Sequence, residues 1–288
     1  MKEESRNLRV IVAKGRIYKS VVQLLHDAGI QIQANDRDYK LTVSNLDIDM
    51  KMMKPQNIPK LIELGSHDAG FTGKDWIVET DSDVYEVMDF GFDPVKIVVA
   101  IPEHVDQKKL RRKKIVVASE YEHIAQSFLK TRGYDYVLLK TFGATEVFPP
   151  DDADMIIDNT STGRTLQEHQ LKIIHTVMES STRFIVNNAA LQEPWKAEKI
   201  HQMELLFRST LSARERVMLE MNVPKEHFEE TINTLPSMRS PTVAPLYGEA
   251  GYAVKVAVKK AQVIDLIPKL KKLGVTDILE YELRKVII

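Results

Sequence analysis

Apolar residues along this chain fall into short runs separated by stretches of helical spacing. Residues 8–13 form the first run and read as a strand. Ile17, Val21, Leu24, Leu25 and Ala28 then recur every three or four residues, with Gly29 as a stop, which predicts a helix. Strand-like runs follow at 40–43, 69–71, 95–101, 115–118, 137–139, 155–157 and 184–186. Helical patterns lie between several of them, at 58–64 (with Asn57 as a candidate N-cap) and at 124–131. Strands and helices in alternation predict an α/β architecture with largely parallel sheets. In such sheets ligands sit beyond the carboxyl ends of strands, so the residues just after each run are the ones to examine.

The texture changes after Asn187. Residues 194 to about 222 read as one long helical stretch. A proline-bearing segment at 231–245 follows, then a strand at 251–258, a helix at 263–273 and a strand-like run at 278–288. That β-α-β tail reads as a separate small domain. No internal repeat interrupts the pattern.

Composition narrows the chemistry. With 40 basic and 41 acidic residues, nothing points to nucleic acid as a bulk partner. The cluster at 108–114 reads as a solvated loop. There is no cysteine, so there is no disulfide, thiolate nucleophile or thiolate metal site. The eight histidines form no H-x-x-x-H or H-E-x-x-H pair, and G-x-S-x-G, G-x-G-x-x-G and the Walker spacing are all missing. The longest apolar runs are strand-sized, far below the roughly 20 residues of a membrane span. The opening residues Met1-Lys2-Glu3-Glu4-Ser5-Arg6 carry no apolar h-region, so the expectation is a cytoplasmic chain.

The most informative stretch runs from Ala153 to Leu166. An apolar strand ends at Asp158, and Asn159, Thr160, Ser161, Thr162, Gly163, Arg164 and Thr165 follow, with a helix starting near Thr165. Gly163 lets the backbone approach an anion closely. Backbone N–H groups and four hydroxyls can donate to it, and a helix N-terminus adds a favourable dipole. An acid before such a cradle would repel phosphate, so Asp158 suits sugar hydroxyls. A plain strand-to-helix turn with a Ser/Thr cap fits the same residues, and both readings stand. Lys14-Gly15-Arg16 sets two cations at a strand end, as a phosphate contact or a solvated turn. Thr72, Gly73 and Asp75 lie in a turn that is either a ligand contact or a capped helix start. Glu146 is either a ribose-diol partner or a surface acid.

Taken in order, these segments resemble ATP phosphoribosyltransferase. The resemblance runs through Lys14-Gly15-Arg16, Lys54-Pro55-Gln56-Asn57-Ile58-Pro59, Asp68 to Asp75, Ala118-Ser119-Glu120-Tyr121, Gly143 to Val147 and Asp158 to Leu166. The stretch from Leu235 to Leu246 resembles the start of the regulatory domain found in the family's long form. Ala13 stands where the family often has proline, and Lys54 where it often has arginine. The second difference matters more, since lysine lacks the bidentate fork.

The resemblance implies a two-lobed catalytic part of the type II periplasmic-binding-protein kind and a small ACT-like, ferredoxin-like α+β regulatory domain. Its expected boundaries are 1–100 with 185–212 for one lobe, 101–184 for the other and 213–288 for the regulatory domain. The implied substrates are ATP and phosphoribosyl pyrophosphate, with histidine as feedback inhibitor and a dimer or hexamer as assembly. The loop from Asn159 to Thr165 would hold the 5′-phosphate. Asp158, Glu146 and Asp154 would face ribose hydroxyls. Lys14, Gly15, Arg16, Lys54, Thr72, Gly73 and Asp75 would face the nucleotide or the pyrophosphate. Mg2+ would ride mainly on the substrate. Met238, Ser240 and Thr242 would contact histidine. Two other readings compete: a solute receptor sharing this fold, and a phosphoribosyltransferase for a different base, which usually carries two adjacent acids at the strand end.

Overall fold

The computed structural model describes residues 7–33, 40–44, 47–236, 238 and 240–287. The opening residues 1–6 lie outside them. No described helix is long and apolar enough to cross a membrane. The chain divides into two units, one of residues up to Gln23 with Ile30–Ile200 and the other of Leu24–Gly29 with His201–Ile288.

The first unit holds two sheets. The first is built by β1 (Leu8–Ala13), helix α1 (Arg16–Ala28), β2 (Ile32–Gln33), β3 (Lys40–Val43), β4 (Ile48–Met53), α2 (Ile58–Glu63), β5 (Ala69–Gly73), α3 (Lys74–Thr80) and β6 (Tyr85–Asp89). The second is built by β7 (Val95–Pro102), α4 (Gln107–Leu110), β8 (Ile115–Ser119), α5 (Glu122–Thr131), β9 (Tyr136–Lys140), β10 (Met155–Thr160), α6 (Arg164–Glu168) and β11 (Leu171–Ser180). The chain then returns to the first sheet as β12 (Thr182–Val186) and enters α7 (Pro194–Arg214). The strand orders are β2-β3-β4-β1-β5-β12-β6 and β11-β7-β10-β8-β9.

β1 is central, and its near-continuous apolar run is buried on both faces, as such a position requires. β7 and β10 hold the same place in the second sheet. The core under them packs Ile97, Val99, Val117, Met155 and Ile157 against Ile124 and Leu129 of α5. The expected largely parallel sheets are in fact mixed. Among the described residues only β1–β4, β1–β5, β8–β9 and β8–β10 pair in parallel. The antiparallel members β6 and β11 were not legible as strands. Tyr85–Asp89 is half-exposed, and Leu171–Ser180 is bent by two register shifts that break its alternation. Asn57 sits in a 3-10 turn at Pro55–Asn57 and makes no capping bond through its side chain.

The second unit corrects the long helix. α7 stops at Arg214, and Arg216–Pro224 is a strand, β13. Its burial alternates, with Val217, Leu219, Met221 and Val223 inside. The apolar period there has changed from 3.6 to 2. α8 (Phe228–Thr234), β14 (Thr242–Pro245), β15 (Gly251–Lys259), α9 (Lys260–Lys272) and β16 (Thr276–Glu282) complete an antiparallel sheet of order β14-β15-β13-β16. The expected strand at 278–288 thus ends at Glu282, and Ile288 lies outside the described residues. One face of that sheet is covered by Val263, Leu266 and Leu270 of α9.

Candidate active site

The parallel neighbours β8 and β10 bring Ser119 and Ile157 side by side, so the residues after them share one sheet end. The strand does not stop at the acid as the sequence suggests: β10 continues to Thr160. Asp158 is half-buried there, and its Oδ1 accepts from the Asn159 backbone N–H at 2.7 Å and from Asn159 Nδ2 at 3.2 Å. Burial raises its pKa to about 6, against the pull of the Thr145 and Asn159 hydrogen bonds, and the charges of Glu120 and Glu146 push the same way as burial. Glu146 stands on a 3-10 turn at Thr145–Val147, anchored by the buried Thr145–Thr141 hydroxyl pair at 2.8 Å.

Beyond Thr160 the loop folds on itself. Gly163 N–H donates to Thr160 Oγ1 at 3.0 Å, and Arg164 N–H donates to Thr162 Oγ1 at 3.4 Å. Gly163 holds φ at 79°, a left-handed conformation that favours glycine. Ser161, Thr162, Arg164 and Thr165 are exposed. α6 has only five residues, so the dipole it offers is small. Arg164 pairs with Glu168 at 2.8 Å.

Asp154 does not join this group. It precedes the other end of β10, where Oδ1 meets Lys113 Nζ at 2.6 Å and Oδ2 accepts from Val116 N–H at 2.9 Å. Thr72 is likewise committed: it is fully buried, and its hydroxyl donates to the Pro55 carbonyl at 3.1 Å. That bond fixes the turn after Lys54, which is exposed.

What the structure does gather is a cavity of about 200 Å³ lined by Lys14 and Arg16 from the β1–α1 turn, Gln56, Gly73 and Asp75 from the first sheet, and Glu120, Tyr121 and Asn159 from the second. Gly15 turns the chain between the two cations, with φ of 85°. Gly73 lacks a Cβ for a clear reason: one built there would overlap Asp75 Oδ1. Asp75 is buried and accepts from Tyr121 Oη at 2.8 Å and from Ser180 Oγ at 2.6 Å. Tyr121 Oη in turn accepts from Asn159 Nδ2 at 3.1 Å, and its ring stacks on Trp76 with centroids 4.5 Å apart. Burial, with Asp75 beside it, pushes the Tyr121 pKa far up, so the phenol stays protonated. One chain of hydrogen bonds thus ties Asn159 to the first sheet.

Sequence reasoning assigned no role to Gln56, Glu120 or Tyr121, although each lies in a stretch that carries the resemblance. Asp93, Ser180 and Thr182, which also line the cavity, sit where the chain passes between sheets and left no local signal. Among the described residues no three His, Asp or Glu side chains converge as a metal cage.

In the second unit, Met238 is 39% exposed and lines a cavity of about 250 Å³ with Arg216, Pro236, Ala257, Lys259 and Gln262. Ser240 and Thr242 are exposed and do not line it. Ser237 and Arg239, within the stretch that carried the regulatory-domain resemblance, lie outside the described residues.

Comparison with known proteins gives this arrangement a place. The family described as ATP phosphoribosyltransferase matches residues 54–209, and the one described as HisG, C-terminal domain matches residues 213–285. An ATP phosphoribosyltransferase of Thermodesulfovibrio yellowstonii is 38% identical over 288 residues, covering 97% of this chain and 98% of that protein. One from Chlorobium phaeovibrioides is 35% identical over 293 residues and is covered in full, as is this chain. The solved ATP phosphoribosyl transferase (HisG:HisZ) complex from Thermotoga maritima shares the fold, with a TM-score of 0.62 at 21% identity over 70% of this chain and 98% of that one. Mixed α/β sheets with these relatives define a class, the enzymes that transfer a phosphoribosyl group. The chain belongs to the ATP phosphoribosyltransferase family, in the long form that carries the C-terminal domain.

Proposed function

We propose that this protein joins ATP to phosphoribosyl pyrophosphate, giving phosphoribosyl-ATP and pyrophosphate as the first step of histidine biosynthesis, under feedback by histidine. The observation that carries the reading is the cavity lined at once by Lys14, Arg16 and Asn159, where two cations meet the residue that opens the hydroxyl loop.

Adenine N1 supplies its lone pair to the ribose C1, and the bond to pyrophosphate breaks with the electron pair leaving on oxygen. No covalent nucleophile is needed, so the residues position and stabilise charge. Asn159 to Thr165 hold the 5′-phosphate. Asp158 and Glu146 accept from the ribose hydroxyls. Lys14 and Arg16 neutralise phosphate charge, with Lys54 next to Met53, whose carbonyl accepts from the Lys14 N–H at 2.7 Å. Gly73 leaves room at the cavity wall, and Asp75 holds Tyr121 and through it Asn159. Mg2+ prefers phosphate and water oxygens and rides on the pyrophosphate.

The two sheets of the first unit are the lobes of a periplasmic-binding-protein-like catalytic part, near the expected boundaries 1–100 with 185–212 and 101–184. The β13–β16 sheet is an ACT-like regulatory domain at about 213–288, with Met238, Ser240 and Thr242 beside the inhibitor. The protein works in the cytoplasm as a dimer or hexamer. Pyrophosphate release that requires ATP, phosphoribosyl pyrophosphate and Mg2+ together tests the reaction. Release from any two of the three refutes it. Histidine inhibition that survives removal of the chain beyond Arg214 refutes the regulatory assignment.

A further inference from the structure

Three oxygens at the wall of the candidate site have no hydrogen-bond partner among the described residues: Gln56 Oε1, Asp93 Oδ2 and Thr182 Oγ1. Each atom is buried, and each residue lines the cavity that contains Arg16 and Asn159. Backbone ties bring them to one place. Thr182 lies opposite Gly73 in the β5–β12 pair, and its N–H donates to the Phe92 carbonyl at 3.0 Å, next to Asp93. Gln56 follows Pro55, whose carbonyl is held by Thr72, the residue before Gly73.

Their polarity is largely fixed. Gln56 Nε2 donates to Glu120 Oε1 at 3.1 Å. Turning that amide over would set two acceptors face to face, so Oε1 is the end left over. A carboxylate such as that of Asp93 offers acceptors, whereas the Thr182 hydroxyl can accept or donate. Buried acceptors without donors are costly, and a ligand bringing N–H groups removes the cost. Phosphate and pyrophosphate oxygens are acceptors and do not. An aromatic amino group does, because one planar nitrogen carries two N–H donors.

We propose that Gln56, Asp93 and Thr182 form a subsite that reads the 6-amino group of adenine and selects ATP over 6-oxo purine nucleotides. The proposal rests on ATP being the acceptor substrate. A 6-oxo purine sets an acceptor against Gln56 Oε1 and Asp93 Oδ2, and a site built for N–H donors rejects such an analogue strongly. As N1 bonds to the sugar carbon, the ring gains positive charge that spreads to the amino nitrogen. An acceptor there is worth more in the transition state than in the ground state.

The test measures kcat/KM for ATP from pyrophosphate release and the inhibition constant of ITP against ATP, at saturating phosphoribosyl pyrophosphate and Mg2+. N1 of a 6-oxo purine carries a proton in place of the attacking lone pair, so ITP probes binding and is not turned over. The proteins are the wild type, Asp93→Asn, Gln56→Leu and Thr182→Val. Asp93→Asn is expected to lower the ratio of the ITP inhibition constant to the KM for ATP, the base ratio, about tenfold or more, because asparagine can turn an N–H toward a 6-oxo group. Gln56→Leu lowers ATP turnover with no gain for ITP. KM for phosphoribosyl pyrophosphate is unchanged in both. An unaltered base ratio in all three variants overturns the proposal. So does a changed Mg2+ requirement or sugar-phosphate KM at constant base ratio, which would assign the oxygens to a hydrated cation or to ribose. A wild type that fails to release pyrophosphate with ATP overturns the transferase reading along with it.

Discussion

Two aspartates, one just before β10 and one within it, meet opposite fates. Asp154 precedes the strand and is spent: Lys113 and the Val116 N–H take its two oxygens. Asp158, four residues on, accepts from its neighbour Asn159 and from the Thr145 hydroxyl, meets no cation among the described residues, and its pKa stands at about 6, raised chiefly by burial. A carboxylate whose bonds are all structural contributes stability. One kept half-buried with its pKa raised is a candidate ligand contact. Three residues of an apolar strand separate them, roughly 13 Å of extended chain over four residue steps.

The largest effect that sharpens this contrast is on turnover. Asp158→Ala is expected to lower kcat/KM about a hundredfold or more, with Arg16→Ala comparable, as measured by pyrophosphate release. A loss under threefold in both would break the assignment. Asp154→Ala should act the other way round. Turnover per folded molecule stays near wild type, while urea denaturation registers a loss of about 1–3 kcal/mol from the orphaned Val116 N–H and the lost pairing. Equal activity losses at 154 and 158 would erase the distinction.

Tyr121→Phe comes next. It removes the hydroxyl that donates to Asp75 and accepts from Asn159. A stability loss of about 1–3 kcal/mol is expected, together with a raised KM for phosphoribosyl pyrophosphate as Asn159 loosens. Stability lost with KM unchanged would make the hydrogen-bond chain purely structural.

The smallest effect is the pH dependence. Asp158 has its folded pKa raised from an ordinary 3.8 to about 6, so between those values the folded protein binds more protons than the unfolded chain. Stability contributed by this group is therefore present below pH 3.8 and falls as pH rises toward 6. Activity moves oppositely, rising through about pH 6 as the carboxylate forms. Asp158→Asn should flatten the first trend in denaturation curves taken from pH 4 to 7. An unchanged slope would mean another group titrates.

Much of this was legible beforehand, and the exceptions have physical causes. β1, β7 and β10 announced themselves because strands buried on both faces are continuous apolar runs. β6 and β11 did not, since an exposed edge strand and a strand with register shifts lose their period. α7 was read through Arg214 into β13 because helical and alternating patterns share several apolar positions there. The loop from Asn159 to Thr165 was visible as a run of hydroxyls around one glycine. Tyr121, Ser180 and Thr182 were not assigned roles, because the sheets, and not the local sequence, bring them together. Asp154 and Thr72 looked like ligand contacts by type and position, and only their hydrogen bonds reveal that they are occupied.

The most direct test of the account measures pyrophosphate release by wild type, Asp158→Ala and Asp154→Ala, with ATP, phosphoribosyl pyrophosphate and Mg2+ each omitted in turn. The account predicts release only from the complete mixture, near wild-type turnover for Asp154→Ala, and at least about a hundredfold loss for Asp158→Ala. Release without ATP, or Asp158→Ala retaining wild-type turnover, would contradict it.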